Sequence, residues 1–72
     1  MGYFTYIHRL KDLDILLRME ATGTSAQLAK RLGVSRRTIF EYFDVLKSYG
    51  AKIKFNRFSK SYYYLSDFKF KI

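Results

Sequence analysis

Seventy-two residues are expected to form one small domain, a size that buries a limited fraction of its surface and sits near the margin of stability. With no cysteine there is neither a disulfide staple nor a thiolate metal site, and no apolar run of about 18 residues is present to span a membrane. A formal net charge of +8 and a pI of about 9.9 point to an acidic partner.

Seven Tyr and seven Phe give this short chain a large apolar reserve. Proline is absent, and no stretch reads as a linker, a repeat or a low-complexity tract. The N-terminus lacks a basic segment followed by an apolar one, so no signal peptide is expected. The lack of cysteine fits a reducing compartment, and a cytoplasmic location is expected.

The charge is uneven. Arg9, Lys11 and Arg18 precede Ser25 and are balanced by Asp12, Asp14 and Glu20. The other eleven basic residues follow Ser25, against only Glu41, Asp44 and Asp67.

In chain order, Met1 to Tyr6 (MGYFTY) is aromatic without a clear period. Three readings stay open for it: packing across the domain, contact with a second subunit, or a frayed terminus with one docked aromatic. Residues 7–20 read as a first helix, with Ile7, Leu10, Leu13, Leu16 and Leu17 on one apolar stripe. His8 has no Cys or second His beside it and reads as a surface or partly covered side chain rather than a ligand. Thr22-Gly23-Thr24 is a break, able to bridge to a later strand.

A second helix is expected over residues 25–32. Thr24 and Gln27 fit a capping box, in which hydroxyl and amide each satisfy an orphan backbone group. Leu28, Ala29 and Leu32 recur at helical spacing. Gly33 then supplies a left-handed turn, and Val34 plugs it. Ser35 can cap a third helix over residues 35–49. Its core face is Ile39, Phe43, Leu46 and Tyr49, and Gly50 ends it. Short helix, tight turn and longer helix form the pattern of a helix-turn-helix, whose second helix enters the major groove of DNA.

After Gly50 the period becomes alternating. Residues 52–65 read as a hairpin: Lys52-Ile53-Lys54-Phe55-Asn56, a polar turn Arg57-Phe58-Ser59-Lys60, and Ser61-Tyr62-Tyr63-Tyr64-Leu65. The expected register puts Ile53, Phe55, Tyr63 and Leu65 on the core, with Tyr62 and Tyr64 outward beside Lys52 and Lys54. Phe68, Phe70 and Ile72 alternate with Lys69 and Lys71, as in one more short strand. Ile53 is also expected in the core. The predicted architecture is α+β: a three-helix winged helix-turn-helix with a C-terminal β-hairpin wing.

The stretch GTSAQLAKRLGVSRRTIFEYFDVLKSYGAKIKFNRFSKSYYYL resembles the winged-helix domain of DeoR-type bacterial transcription regulators. The likeness runs from about Ile7 to Leu65. Its specific parts are GTS-QLA-RLGVSRRTI and the following LK-x-x-GA-x-I. The resemblance implies sequence-specific binding of double-stranded DNA in transcription regulation, with no cofactor. In this family the domain usually heads a longer chain that carries an effector-sensing or oligomerisation domain. No small-molecule effector is expected for this chain alone.

For DNA, the third helix offers Arg37, Glu41, Asp44 and Ser48 opposite its apolar face, flanked by Arg36, Thr38 and Phe40. A guanidinium can grip guanine O6 and N7 with two hydrogen bonds, which suits Arg36 and Arg37. Ser35 and Thr38 can bond phosphate beside the free N–H groups of the first turn. Lys30 and Arg31 can flank the backbone. Lys52, Lys54, Arg57 and Lys60 can hold phosphates or reach the minor groove. Glu41 stands where the resembling family often carries Arg. It can pair with Arg37 one turn earlier, accept from cytosine N4, or mark shallow insertion with the wing dominant; the first needs only the i, i+4 geometry.

A competing reading is a protein-interaction winged helix that dimerises or docks through its aromatic termini and outward tyrosines. It predicts little salt-sensitive DNA binding, although a homodimer also suits half-sites about 34 Å apart. Single-strand or RNA binding through Tyr62 and Tyr64 is a third reading, weakened by the lack of a GXXG or RNP run. No nucleophile–base pair, metal cluster or phosphate-binding Gly loop suggests an enzyme.

Overall fold

No Gly or Pro interrupts residues 3–18, and the first helix, α1, spans Tyr3–Arg18. The computed structural model describes residues 3–70. Met1, Gly2, Lys71 and Ile72, and the side chains of Tyr3 and Phe4, lie outside what is described, so the expected alternation at Lys71 and Ile72 does too. The helix starts earlier than the 7–20 expected from its leucine stripe. Within the added turn, Tyr6 sets its ring edge-on to Tyr42, with centroids 5.7 Å apart. Leu10, Leu13 and Leu17 are buried, with Ile7 and Leu16 partly covered against them.

The second helix, α2, spans Ser25–Leu32, and the third, α3, spans Arg36–Ser48. The predicted caps are in place. Thr24 accepts from the Gln27 amide while the Gln27 side chain accepts from the Thr24 amide. Ser35, in extended backbone, accepts from the Thr38 amide at 3.1 Å.

All three helices end in the same way. Just past each helix an amide reaches back to a carbonyl five residues earlier: Ala21 to Leu16, Val34 to Ala29 and Ala51 to Leu46. The residue in between adopts a left-handed backbone. At α2 and α3 it is Gly33 and Gly50, with φ of 71° and 107°. At α1 it is Glu20, with φ of 52°, where a side chain meets a steric cost that glycine escapes.

Ile39, Phe43 and Leu46 are buried as expected. Tyr49, expected beside them, is 65% exposed, and Tyr42 takes the core position instead. Tyr42 belongs to the same stripe, three residues from Ile39 and four from Leu46. Tyr49 is the cap, where the chain leaves helical geometry, and its ring lies edge-on to Phe70.

Strands β1 (Ile53–Asn56) and β2 (Ser61–Tyr64) form an antiparallel hairpin. Three helices followed by this hairpin make a winged helix-turn-helix. The register differs from the expected one. Ile53 pairs with Tyr64, Lys54 with Tyr63 and Phe55 with Tyr62. Tyr62 and Tyr64 therefore pack with Ile53 against the core, while Leu65 is 50% exposed and Tyr63 stands beside Lys54. Phe55 lies at the margin, its ring against that of Tyr62. The predicted bridge from Thr22 appears as side-chain chemistry rather than a ladder. The Thr22 amide donates to Ser61 Oγ, and the Tyr62 amide donates to Thr22 Oγ1, both at 2.9 Å. Beyond β2 the chain forms no strand through Phe70; Phe70 is buried and its amide donates to Asp14.

Asp14 is the polar centre of the packing. It lies on the apolar stripe of α1 and is 3% exposed. Tyr64 Oη donates to Asp14 Oδ1 at 2.8 Å, joined by the Phe70 amide at 3.2 Å, and Arg18 binds Oδ2 at 3.1 Å. Burial, and then this hydrogen bond, hold the Tyr64 phenol well above its usual range. The folded chain keeps that proton at pH values where the unfolded chain has released it. The contribution of this group to stability is therefore complete below about pH 10 and is lost as pH rises past it. In Tyr64→Phe, urea unfolding at pH 7 should show a loss of about 1.5 kcal/mol, the low end for a hydrogen bond to a charged group. The further loss between pH 9 and 11 should shrink. An unchanged alkaline slope would contradict the assignment.

Candidate nucleic-acid interface

The first turn of α3 carries no acidic residue and begins with two arginines, Arg36 and Arg37. The amide ends of a helix favour negative charge there, so both cations oppose the helix dipole. An anion at this point would relieve the conflict.

The two arginines are held differently. Arg36 Nε donates to Ser25 Oγ at 3.1 Å, which ties the start of α3 to the start of α2. Arg37 reaches into solvent with 89% of its side chain exposed, and its Nε lies 3.6 Å from Glu41 Oε2. The predicted i, i+4 pair is thus formed, as a loose and solvated contact. It restrains Arg37 along the helix without covering it. The sequence assigns both Arg36 and Arg37 to base edges and gives no sign of how differently they are held. The Ser25 hydroxyl, buried at the N-terminus of α2, separates them.

Ser35 and Thr38 also meet each other, with hydroxyl oxygens 3.0 Å apart. Phe40 is 43% exposed, its ring edge-on to buried Phe43. Asp44 and Ser48 are exposed on the outward face with Arg37 and Glu41. Lys30 and Arg31 end α2, both exposed.

The wing is anchored on the inner side of α3, where the Tyr62 ring lies 4.8 Å from that of Phe43. Lys52, Lys54, Arg57 and Lys60 are exposed. The register correction removes Tyr62 and Tyr64 from the surface beside these lysines. A stacking platform built on those two rings is therefore lost; one is packed on Phe43 and the other bonded to Asp14.

Of two features that shape the wing turn, the first has no signal in the sequence pattern. Glu20 Oε2 accepts from Asn56 Nδ2 at 3.0 Å and from Ser59 Oγ at 2.6 Å, so the end of α1 braces the turn. Asn56 Oδ1 in turn accepts from the Phe58 amide at 2.9 Å. The Asn56-x-Phe58 spacing of an Asx turn was the one local clue. The strained backbone of Glu20 is thus found where its carboxylate is used.

Glu20→Gly should change global stability by less than about 1 kcal/mol, because relief of about 1–2 kcal/mol of left-handed strain offsets two exposed hydrogen bonds. Amide hydrogen exchange at Phe58 and Ser59 should nevertheless accelerate. Unchanged exchange would show that Glu20 does not brace the turn.

Neither the curated proteins nor the solved structures yield a match to this chain. The profile of a family described as HTH domain matches residues 8–57, which takes in most of α1, all of α2 and α3, and the first strand of the wing. With well over half of its length matched, the chain belongs to this helix-turn-helix domain family.

Proposed function

We propose that this chain is a sequence-specific, double-stranded DNA-binding module of a bacterial transcription regulator, of the DeoR type that Gly23 to Leu65 resembles. The observation that carries the reading is the pair of arginines at the positive end of α3, one of them almost wholly exposed, in a helix-turn-helix domain. A surface that costs stability in the free protein and is relieved by anions fits a polyanionic partner. On this reading α3 lies in the major groove with Arg37 toward base edges, and Phe40 is placed for apolar contact with a thymine methyl. Arg36, tied to Ser25, sets the approach of α2 to the phosphates. Lys30, Arg31, Lys52, Lys54, Arg57 and Lys60 hold the backbone on either side. The module works in the cytoplasm, on the bacterial chromosome.

The test is fluorescence anisotropy of the purified chain on a random duplex and a matched single strand over a range of salt. Duplex binding that weakens steeply with salt supports the proposal, and no duplex binding at low salt ends it. Arg37→Ala is a cleaner probe than Arg36→Ala, since it leaves the Ser25 bond intact. On a selected site it should cut discrimination against a mismatched duplex about tenfold, within the roughly 1–3 kcal/mol of a bidentate contact. Lys54→Ala should weaken binding to all duplexes alike and lower the salt slope by about 0.9.

A further inference from the structure

Phe58 is 98% exposed, more than any other large apolar side chain among the described residues. Single exposed apolar residues are common. This one differs in how it is held. Its own amide is bonded to Asn56 Oδ1, the next amide reaches the same oxygen at 3.4 Å, and the turn is braced from outside by Glu20. Lys60 closes the turn in a left-handed backbone, with φ of 56°. The ring thus stands on a fixed turn, so that contact has only its own rotamer, and not the backbone beneath it, left to order. Arg57 precedes it and Lys60 follows two residues later, both exposed.

From this geometry we infer that Phe58 is a wedge for the DNA minor groove. The inference rests on the duplex-binding reading above. A hairpin tip is narrow enough to approach a groove about 6 Å wide, which excludes a helix. Arg57 and Lys60, exposed on the same turn, supply cations for the phosphates that border the groove. Charge complementarity thus selects a polyanion as the occupant. An aromatic ring pressed between base pairs partly unstacks them and kinks the duplex. Pyrimidine–purine steps such as TA and CA/TG unstack most easily, so Phe58 confers preference for such a step without a hydrogen bond to any base.

The experiment is parallel selection of sites from a random duplex pool by wild type, Phe58→Ala and Phe58→Trp, followed by end-to-end energy transfer on the wild-type site. Full exposure of Phe58 predicts unchanged thermal melts for both variants. Wild type and Phe58→Trp should select a flexible step at constant spacing from the major-groove contacts and shorten the end-to-end distance. Phe58→Ala should keep the major-groove half-site, lose the step preference and the bend, and bind about tenfold more weakly with an unchanged salt slope. If Phe58→Ala selects and bends like wild type, the wedge is overturned and duplex binding stands. If wild type selects no duplex, both readings fall together.

Discussion

A carboxylate in an apolar core must be satisfied or it destabilises the fold, and Asp14 is such a group. Its partners come from three places: Arg18 one turn on, Tyr64 from the second wing strand and the Phe70 amide from the tail. Their convergence on one anion fixes where β2 lies on α1. From there Tyr62 carries the wing onto Phe43 of α3. The relation between the third helix and the wing, on which the proposed two-part DNA surface depends, thus runs through a buried ion and one aromatic contact. The Thr22–Ser61 pair, also buried, secures the same strand from the α1–α2 connection.

Several local choices in this chain work against its own stability. Two arginines begin α3 against its dipole, Glu20 and Lys60 take left-handed backbones, and Phe58 stays in water. A domain of this size has little reserve to carry such costs. Those at Glu20, Phe58 and Lys60 gather at the wing turn, and the two arginines stand on the first turn of α3. The leucines of α1 and the caps of α2 obey the ordinary rules throughout. Departures of this kind are expected where a surface is shaped for a partner rather than for folding.

What could be read from the sequence was what is locally encoded. The helix-turn-helix was legible because Thr24 with Gln27, Gly33, and Ser35 each act within a few residues of themselves. The wing was legible as a hairpin but not in register. Three consecutive tyrosines carry no alternation of polarity, and what places Tyr64 inward is an aspartate fifty residues earlier. Tyr49 failed for a related reason: the stripe it continues ends at the helix, and the next turn removes it from the core. In the candidate interface, exposed cations could be named from charge alone. The distinction between Arg36 and Arg37, the brace from Glu20 and the full exposure of Phe58 depend on tertiary placement.

The most direct test of the account is amide chemical-shift mapping of the chain titrated with a duplex of selected sequence. Joint action of α3 and the wing predicts perturbation at Ser35 to Glu41 and at Lys52 to Lys60, in fast or slow exchange according to affinity. Perturbation confined to α1 and the Tyr49–Phe70 side, with Arg37 and the wing turn silent, would contradict it.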